Sequence, residues 1–238
     1  MGDLVTMDDL TNQEIVSILD DSERLVPVAR GVINLPLLDG KVLANMFFEN
    51  STRTRMSFET AMKRLGGSVL NFSSVGTSVS KGETLYDTMQ MIDGYADVAA
   101  IRHPRQGAAQ YSADSVGIPI LNAGDGAGNH PTQTMLDLFT IRQAHGSLES
   151  LNVVLVGDLR YGRTVHSLSH ALVRFGASLT LVSPRTLRMP EEIVSDLRSQ
   201  GSEITETESL LEQINSADVI YMTRIQKERF PDEDEYAK

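Results

Sequence analysis

The feature that most limits what this chain can become is a repeated alternation of short apolar runs with segments of helical spacing. KVLANMFF (41–48), ADVAAIR (96–102), IPILNAG (118–124), LNVVLVGD (151–158), ASLTLVSP (177–184) and ADVIYMT (217–223) each read as a buried strand. Between them the period changes. From Ser51 onward Phe58, Met62 and Leu65 fall on one helical face, and Gly66-Gly67 ends that segment as a C-cap would. RTVHSLSHALVRFG (163–176) closes on Gly176, and PEEIVSDLRSQG (190–201) opens on Pro190, whose fixed φ suits a first helical turn. Helical and strand signals already alternate from the Met7–Leu19 stretch. Strands that are apolar throughout are buried on both faces, and strands separated by helices run parallel. The prediction is an α/β chain with two doubly wound parallel-sheet domains. The small polar linker HGSLES (145–150) places the boundary near residues 134–150, giving domains 1–134 and 135–238, bridged by a helix that begins at Pro131.

Length and charge narrow the function classes. At 238 residues the chain accommodates two such domains, and 41% hydrophobic residues supply their cores. Against 32 Asp and Glu stand 21 Lys and Arg, a net charge of -11 that repels nucleic acid and anionic membrane over most of the surface. Any bound anion must be held by local cations. Without cysteine there are no disulfides, thiol nucleophiles or thiolate metal sites. No apolar run approaches the ~18 residues of a membrane span, and MGDLVTMDDL is not built like an export signal, so a cytoplasmic protein is expected. Gly2 fits a loose myristoylation pattern and Asn50 and Asn71 begin glycosylation sequons; both are read as chance matches.

Cation and hydroxyl are concentrated in FFENSTRTRM (47–56). With Ser51 as N-cap, the amides of Thr52, Arg53 and Thr54 lack intrahelical partners at the positive end of the macrodipole. The Arg53 guanidinium and the hydroxyls of Ser51, Thr52 and Thr54 complete a receptor for a phosphate dianion. Arg55 joins this group or turns outward. The same residues also suit a well-capped surface helix with solvated arginines, and spacing alone does not choose. In NAGDGAGNHPTQTMLDLF (122–139) a Gly-rich loop leads to a second helix start at Pro131. There His130 can donate to a developing oxyanion and Gln133 can bond both groups of an amide, or the histidine merely caps. Arg102 follows a strand, and Lys81 lies in the polar loop GTSVSKGET (76–84). VGDLRYGRTVHSL (156–168) has a nucleotide-binding outline but not the G-x-G-x-x-G order; Arg163 and Arg224 read better as anion clamps at sheet edges. His166 and His170, spaced i, i+4, have no evident third ligand, so packing is expected and no metal or cofactor is assigned.

Together FENSTRTRMSFE, SVSKGET, RHP, NAGDGAGNHPTQTMLDLFTI, GDLRYGRTVHSL and YMTRIQKER resemble, in order and over nearly the whole chain, the aspartate branch of the carbamoyltransferase family. S-T-R-T-R with H-P-x-Q marks the family; SKGET and MTRIQKER point to the branch. The resemblance implies carbamoyl transfer from carbamoyl phosphate to L-aspartate, in pyrimidine biosynthesis, with no cofactor. It also implies that domain 1–134 binds carbamoyl phosphate and domain 135–238 aspartate. Ser51, Thr52, Arg53, Thr54 and Arg102 resemble the phosphate cradle. His130 and Gln133, with Thr54 and Arg102, resemble the carbamoyl group's partners, and Arg163, Arg224 and Gln226 the aspartate clamp. Ser78 and Lys81 resemble a loop that reaches a neighbouring subunit's site in a homotrimer, to which separate regulatory chains can be added. Glu49 and Arg229 resemble a pair that braces the closed domains. Two such substrates bring about four negative charges together, which accounts for this many local cations in an acidic chain.

Members of the family continue past the QKER loop, so the second domain is expected to be incomplete at Lys238, and these 238 residues alone to have little activity and an open sheet edge. An ornithine-type carbamoyltransferase, whose second-domain S-M-G element is absent here, and a non-catalytic scaffold are the competing readings.

Overall fold

The computed structural model describes residues 2–73, 82–126 and 128–224. The chain divides into two compact units, Met1–Met135 and Leu136–Lys238.

In the first unit, α1 (Asn12–Ala29) precedes β1 (Val42–Phe47), α2 (Thr52–Arg64), β2 (Ser68–Ser73), α3 (Leu85–Asp93), β3 (Val98–His103), α4 (Ala108–Ala113) and β4 (Ile120–Asp125); α5 (Pro131–His145) begins in this unit and continues into the second. All pairings are parallel and the strand order is β2-β1-β3-β4. The chain moves outward from β1 to β2, then returns to the other side of β1. Right-handed crossovers in opposite directions put their helices on opposite faces. Accordingly Leu43 and Ala100 pack with Met62 and Phe58 of α2, while Ala44, Met46, Ala99 and Ile101 pack with Met89 and Ile92 of α3 and Ala109 of α4. Neighbouring residues of one strand thus enter different cores, which is why these runs are apolar without alternation.

The amino-terminal stretch has a structural use. Leu4 bridges to Leu121 along the outer edge of β4, Asp3 Oδ1 accepts the Ile120 amide at 2.8 Å, and Val5 and Met7 are buried. It covers a sheet edge that would otherwise present unpaired backbone. Thr11 with Glu14 and Thr84 with Asp87 form capping boxes that start α1 and α3.

The second unit comprises β5 (Asn152–Val156), α6 (Arg163–Val173), β6 (Ser178–Val182), α7 (Glu191–Ser199), β7 (Ile204–Thr207) and β8 (Val219–Met222), again parallel, in the order β7-β6-β5-β8. Here the reversal lies between β5 and β8. Val165, Leu168, Ala171 and Leu172 of α6 are fully buried. Among the described residues no helix is long and apolar enough to cross a membrane.

The α/β class and both parallel sheets agree with expectation, as do Gly66, at φ +87° after α2, and Pro131 as the first residue of α5. Pro190 precedes α7 as its N-cap rather than starting it. Strands β2 and β7 were not predicted. Both lie at sheet edges, where SVLNFS and ITET mix polar with apolar residues because only one side needs burial.

Candidate active site

In an open parallel sheet, the crevice beyond the strand ends at the point of reversal is where ligands bind, because loops there diverge to opposite faces. In the first sheet that point lies between β1 and β3. The loop from β1 runs directly into α2, with Ser51 at the N-cap in extended conformation (φ -158°, ψ 102°). Ser51 makes no side-chain capping bond, and the first turn of α2 contains no acid. The amides of Thr52, Arg53 and Thr54 precede the first intrahelical bond, from Arg55 N–H to Ser51 C=O at 3.3 Å. The starts of α1 and α3, by contrast, are closed by capping boxes. This one presents hydroxyls, amides and a guanidinium instead. The helix start thus lacks the side-chain cap that a well-capped surface helix would show, and its groups suit an anion.

A buried asparagine seats that helix. Asn45 of β1 is 0% exposed, and its Nδ2 donates to Arg55 C=O and to Asn71 Oδ1, each at 3.1 Å. Asn71, its register partner on β2, donates to Glu59 Oε2 at 3.1 Å, and Lys63 bonds Glu59 at 2.6 Å. The Lys63 bond first, then Asn71, holds the Glu59 carboxyl below its ordinary range, with a smaller contribution from the charge of Arg55. Arg55 itself is exposed. The reading of KVLANMFF as a purely apolar strand passed over this polar anchor, whose signal was a lone Asn inside an apolar run.

Arg102 sits in β3 in register with Phe47, at the same strand ends. Its Nη1 donates to Ala123 C=O at 3.1 Å and its Nε lies 3.5 Å from Glu49 Oε2. From the neighbouring β4, a loop leads to His130, 7% exposed, whose C=O accepts the amides of Gln133 and Thr134 at 3.0 and 3.2 Å. The Thr132 hydroxyl lies 3.3 Å from His130 Nδ1. When it donates there, the imidazole carries its proton on Nε2, the tautomer that donates to an oxyanion. Thr132 was not among the expected site residues; its position two after the histidine was the available signal. Ser51, Thr52, Arg53, Thr54, Arg102, His130 and Gln133 are thus gathered at one sheet edge.

In the second unit the reversal point between β5 and β8 is served by Arg163, the first residue of α6 and 6% exposed, and by Arg224, exposed just beyond β8. Gly162 caps α6 without a side-chain bond. Tyr221 of β8 donates to Asp137 Oδ2 at 3.1 Å; burial, then the Asp137 charge, push its phenol up to about 12, so it stays protonated at neutral pH. His166 Nε2 bonds Leu159 C=O at 2.7 Å and His170 Nδ1 lies 3.4 Å from Asp196, so the two rings have separate partners. Among the described residues no group of three His, Asp or Glu side chains is placed to hold a metal. Ser78, Lys81, Gln226 and Arg229 lie outside the described residues.

Two sequence profiles account for most of the chain: the aspartate/ornithine carbamoyltransferase carbamoyl-P binding domain matches residues 2–143, and the Asp/Orn binding domain of the same family matches residues 149–238. The chain belongs to the aspartate/ornithine carbamoyltransferase family. Among carbamoyltransferases it is 54% identical, over 99% of its length and 76% of the relative's, to the aspartate carbamoyltransferase catalytic subunit of Methanothermobacter thermautotrophicus. The catalytic subunit of M. jannaschii aspartate transcarbamoylase superposes with a TM-score of 0.92 at 48% identity, covering 100% of this chain and 78% of that one. Aspartate transcarbamoylase from Trypanosoma cruzi, solved in complex with carbamoyl phosphate and aspartate, has a TM-score of 0.92 at 40% identity, covering 99% and 75%.

Proposed function

We propose that this carbamoyltransferase moves the carbamoyl group of carbamoyl phosphate to the amine of L-aspartate, giving N-carbamoyl-L-aspartate and phosphate. The observation that carries this reading is the uncapped, acid-free start of α2 at the β1/β3 reversal point, with Arg102 beside it. The catalytic subunits to which the chain is similar are named for the aspartate reaction, which favours aspartate over ornithine.

In this reading the first domain, 1–134, binds carbamoyl phosphate. Ser51, Thr52, Arg53, Thr54 and Arg102 hold the phosphate, and His130 and Gln133 hold the carbamoyl group. The second domain, 135–238, binds aspartate through Arg163, Arg224 and Gln226. The aspartate amine attacks the carbonyl carbon, and the His130 Nε2–H donates to the oxygen as it gains charge. The C–O bond to phosphate then breaks, and the departing phosphate takes the amine proton. Each well-placed oxyanion donor stabilises the transition state by about 3–4 kcal/mol, and orientation contributes effective molarities of about 10⁵ M or more. No external base or covalent intermediate is required. The finer reading is a cytoplasmic homotrimer in which Ser78 and Lys81 of one subunit serve a neighbour's site.

The test supplies the intact gene product with labelled carbamoyl phosphate and either L-aspartate or L-ornithine. Labelled carbamoyl aspartate is expected; citrulline alone, or no transfer, sinks the reading. Mixing Lys81→Ala with Arg53→Ala subunits should restore activity above either parent if sites are shared.

A further inference from the structure

Asp125, at the end of β4 and 3% exposed, places both carboxylate oxygens on main chain. Oδ2 accepts the Gly107 amide at 2.8 Å and Oδ1 the Asn129 amide at 2.6 Å. Its own amide donates to Asn129 C=O at 3.3 Å, and its C=O accepts the Gly128 amide at 2.9 Å. One side chain thereby ties the segment after β3, which continues from Arg102, to the segment after β4, which runs into His130. The joint is close: Gly126 donates to His103 C=O at 2.9 Å, has φ +57°, and a Cβ there would sit 2.5 Å from the Pro104 carbonyl oxygen.

A buried carboxylate at this sheet edge opposes the binding of anions, so simple charge matching does not account for it. What it supplies is geometry. An ionised carboxylate accepts two amides through short, charge-assisted bonds, which a neutral side chain of the same shape cannot do. We propose that Asp125 is a positioning residue for the carbamoyl half of the site, fixing the His130 segment against the Arg102 segment so that the imidazole meets the carbamoyl oxygen without rearrangement. This rests on the functional reading above. The phosphate cradle of α2 is seated separately, by Asn45.

The separation gives the test. Asp125→Asn keeps the volume but turns one acceptor into an NH2 facing an amide N–H. In the intact gene product kcat for carbamoyl aspartate formation is expected to fall about 30-fold, in line with the cost of a small misplacement. Inorganic phosphate, titrated calorimetrically, should bind within about twofold of the unaltered protein, since the α2 start is seated by Asn45 and Arg102 is held within β3 by its pairing with β1, before the joint. An unchanged kcat overturns the proposal, and so does phosphate binding that weakens in step with kcat, the mark of general structural loss. Should Asp125→Asn not fold, Gly126→Ala opens the same joint and must show the same split between kcat and phosphate binding; otherwise the proposal fails. An unaltered protein that binds phosphate but transfers no carbamoyl group overturns the functional reading, and this inference with it.

Discussion

Arg102 Nε lies 3.5 Å from Glu49 Oε2, yet neither atom makes a hydrogen bond among the described residues. The arginine side chain is 13% exposed and the glutamate 39%, so the contact is a charge pairing at the rim of the sheet edge. Its other anchor, the Nη1 bond to Ala123 C=O, fixes the guanidinium without neutralising it. Glu49 therefore lowers the positive potential that an incoming phosphate meets. Glu49→Gln should tighten inorganic phosphate binding about threefold at low salt, with the gain disappearing near 0.5 M salt, about where screening removes such effects. Calorimetric titrations at two ionic strengths check this; weaker binding in the variant would contradict it.

Arg53 is exposed at the start of α2, and nothing on that turn carries opposing charge. On the proposed role of Arg53 in holding phosphate, replacing it with alanine removes a charge-assisted contact of about 1.5–3 kcal/mol. Arg53→Ala should lower kcat/KM for carbamoyl phosphate roughly 10- to 150-fold while leaving the thermal midpoint nearly unchanged. Steady-state kinetics with a melting curve separates this outcome from a folding defect.

His103 packs its ring 5.1 Å from Phe48 and accepts the Arg105 amide on Nδ1. Burial first, then the charge of Arg105, hold its imidazole below the ordinary 6.5, although Asp125 and Glu49 pull the other way. The unfolded chain thus takes up a proton before the folded one does. Stability is full above 6.5 and declines as pH falls from there towards the folded value. Urea midpoints measured from about pH 8 to pH 5 should drop, and His103→Gln should flatten that part of the slope.

Gly157, just after β5, has φ +116°, and a Cβ there would collide with the Thr223 carbonyl beyond β8. The close approach is needed because Thr223 N–H bonds Val156 C=O at 2.8 Å, carrying the β5–β8 pairing up to the reversal point. Gly157→Ala should destabilise the protein by about 2–3 kcal/mol through backbone strain. It should also raise KM for aspartate, because Arg163 and Arg224 flank that point, without altering phosphate binding. Denaturant melts with aspartate and phosphate titrations decide it.

The legible parts of the fold were those in which local composition carries a tertiary demand. The runs of β1, β3 and β5 are mostly apolar because each strand feeds two cores, and a reader of the sequence sees that directly. The polar edge strands β2 and β7 bury less and left a weaker trace. Within the site, the S-T-R-T-R turn and the H-P-T-Q turn were visible because hydroxyl, guanidinium and imidazole groups crowd into contiguous helix starts. Asn45, Thr132 and Asp125 were passed over as site supports. Asn45 reaches ten residues along the chain to Arg55, and Asp125 eighteen back to Gly107.

By itself the sequence determined that this chain alternates strands with helices and places cations at helix starts, since both depend on residues close together in the chain. Only the tertiary structure decided which strands stand side by side, and hence that the α2 start, Arg102 and His130 share one edge of the first sheet. It likewise decided that Glu49 faces Arg102 and that Asp125 joins two loops. The reason is that strand order follows from how crossovers cover two faces, and long-range hydrogen bonds follow from strand order. Neither is written in any single stretch of residues.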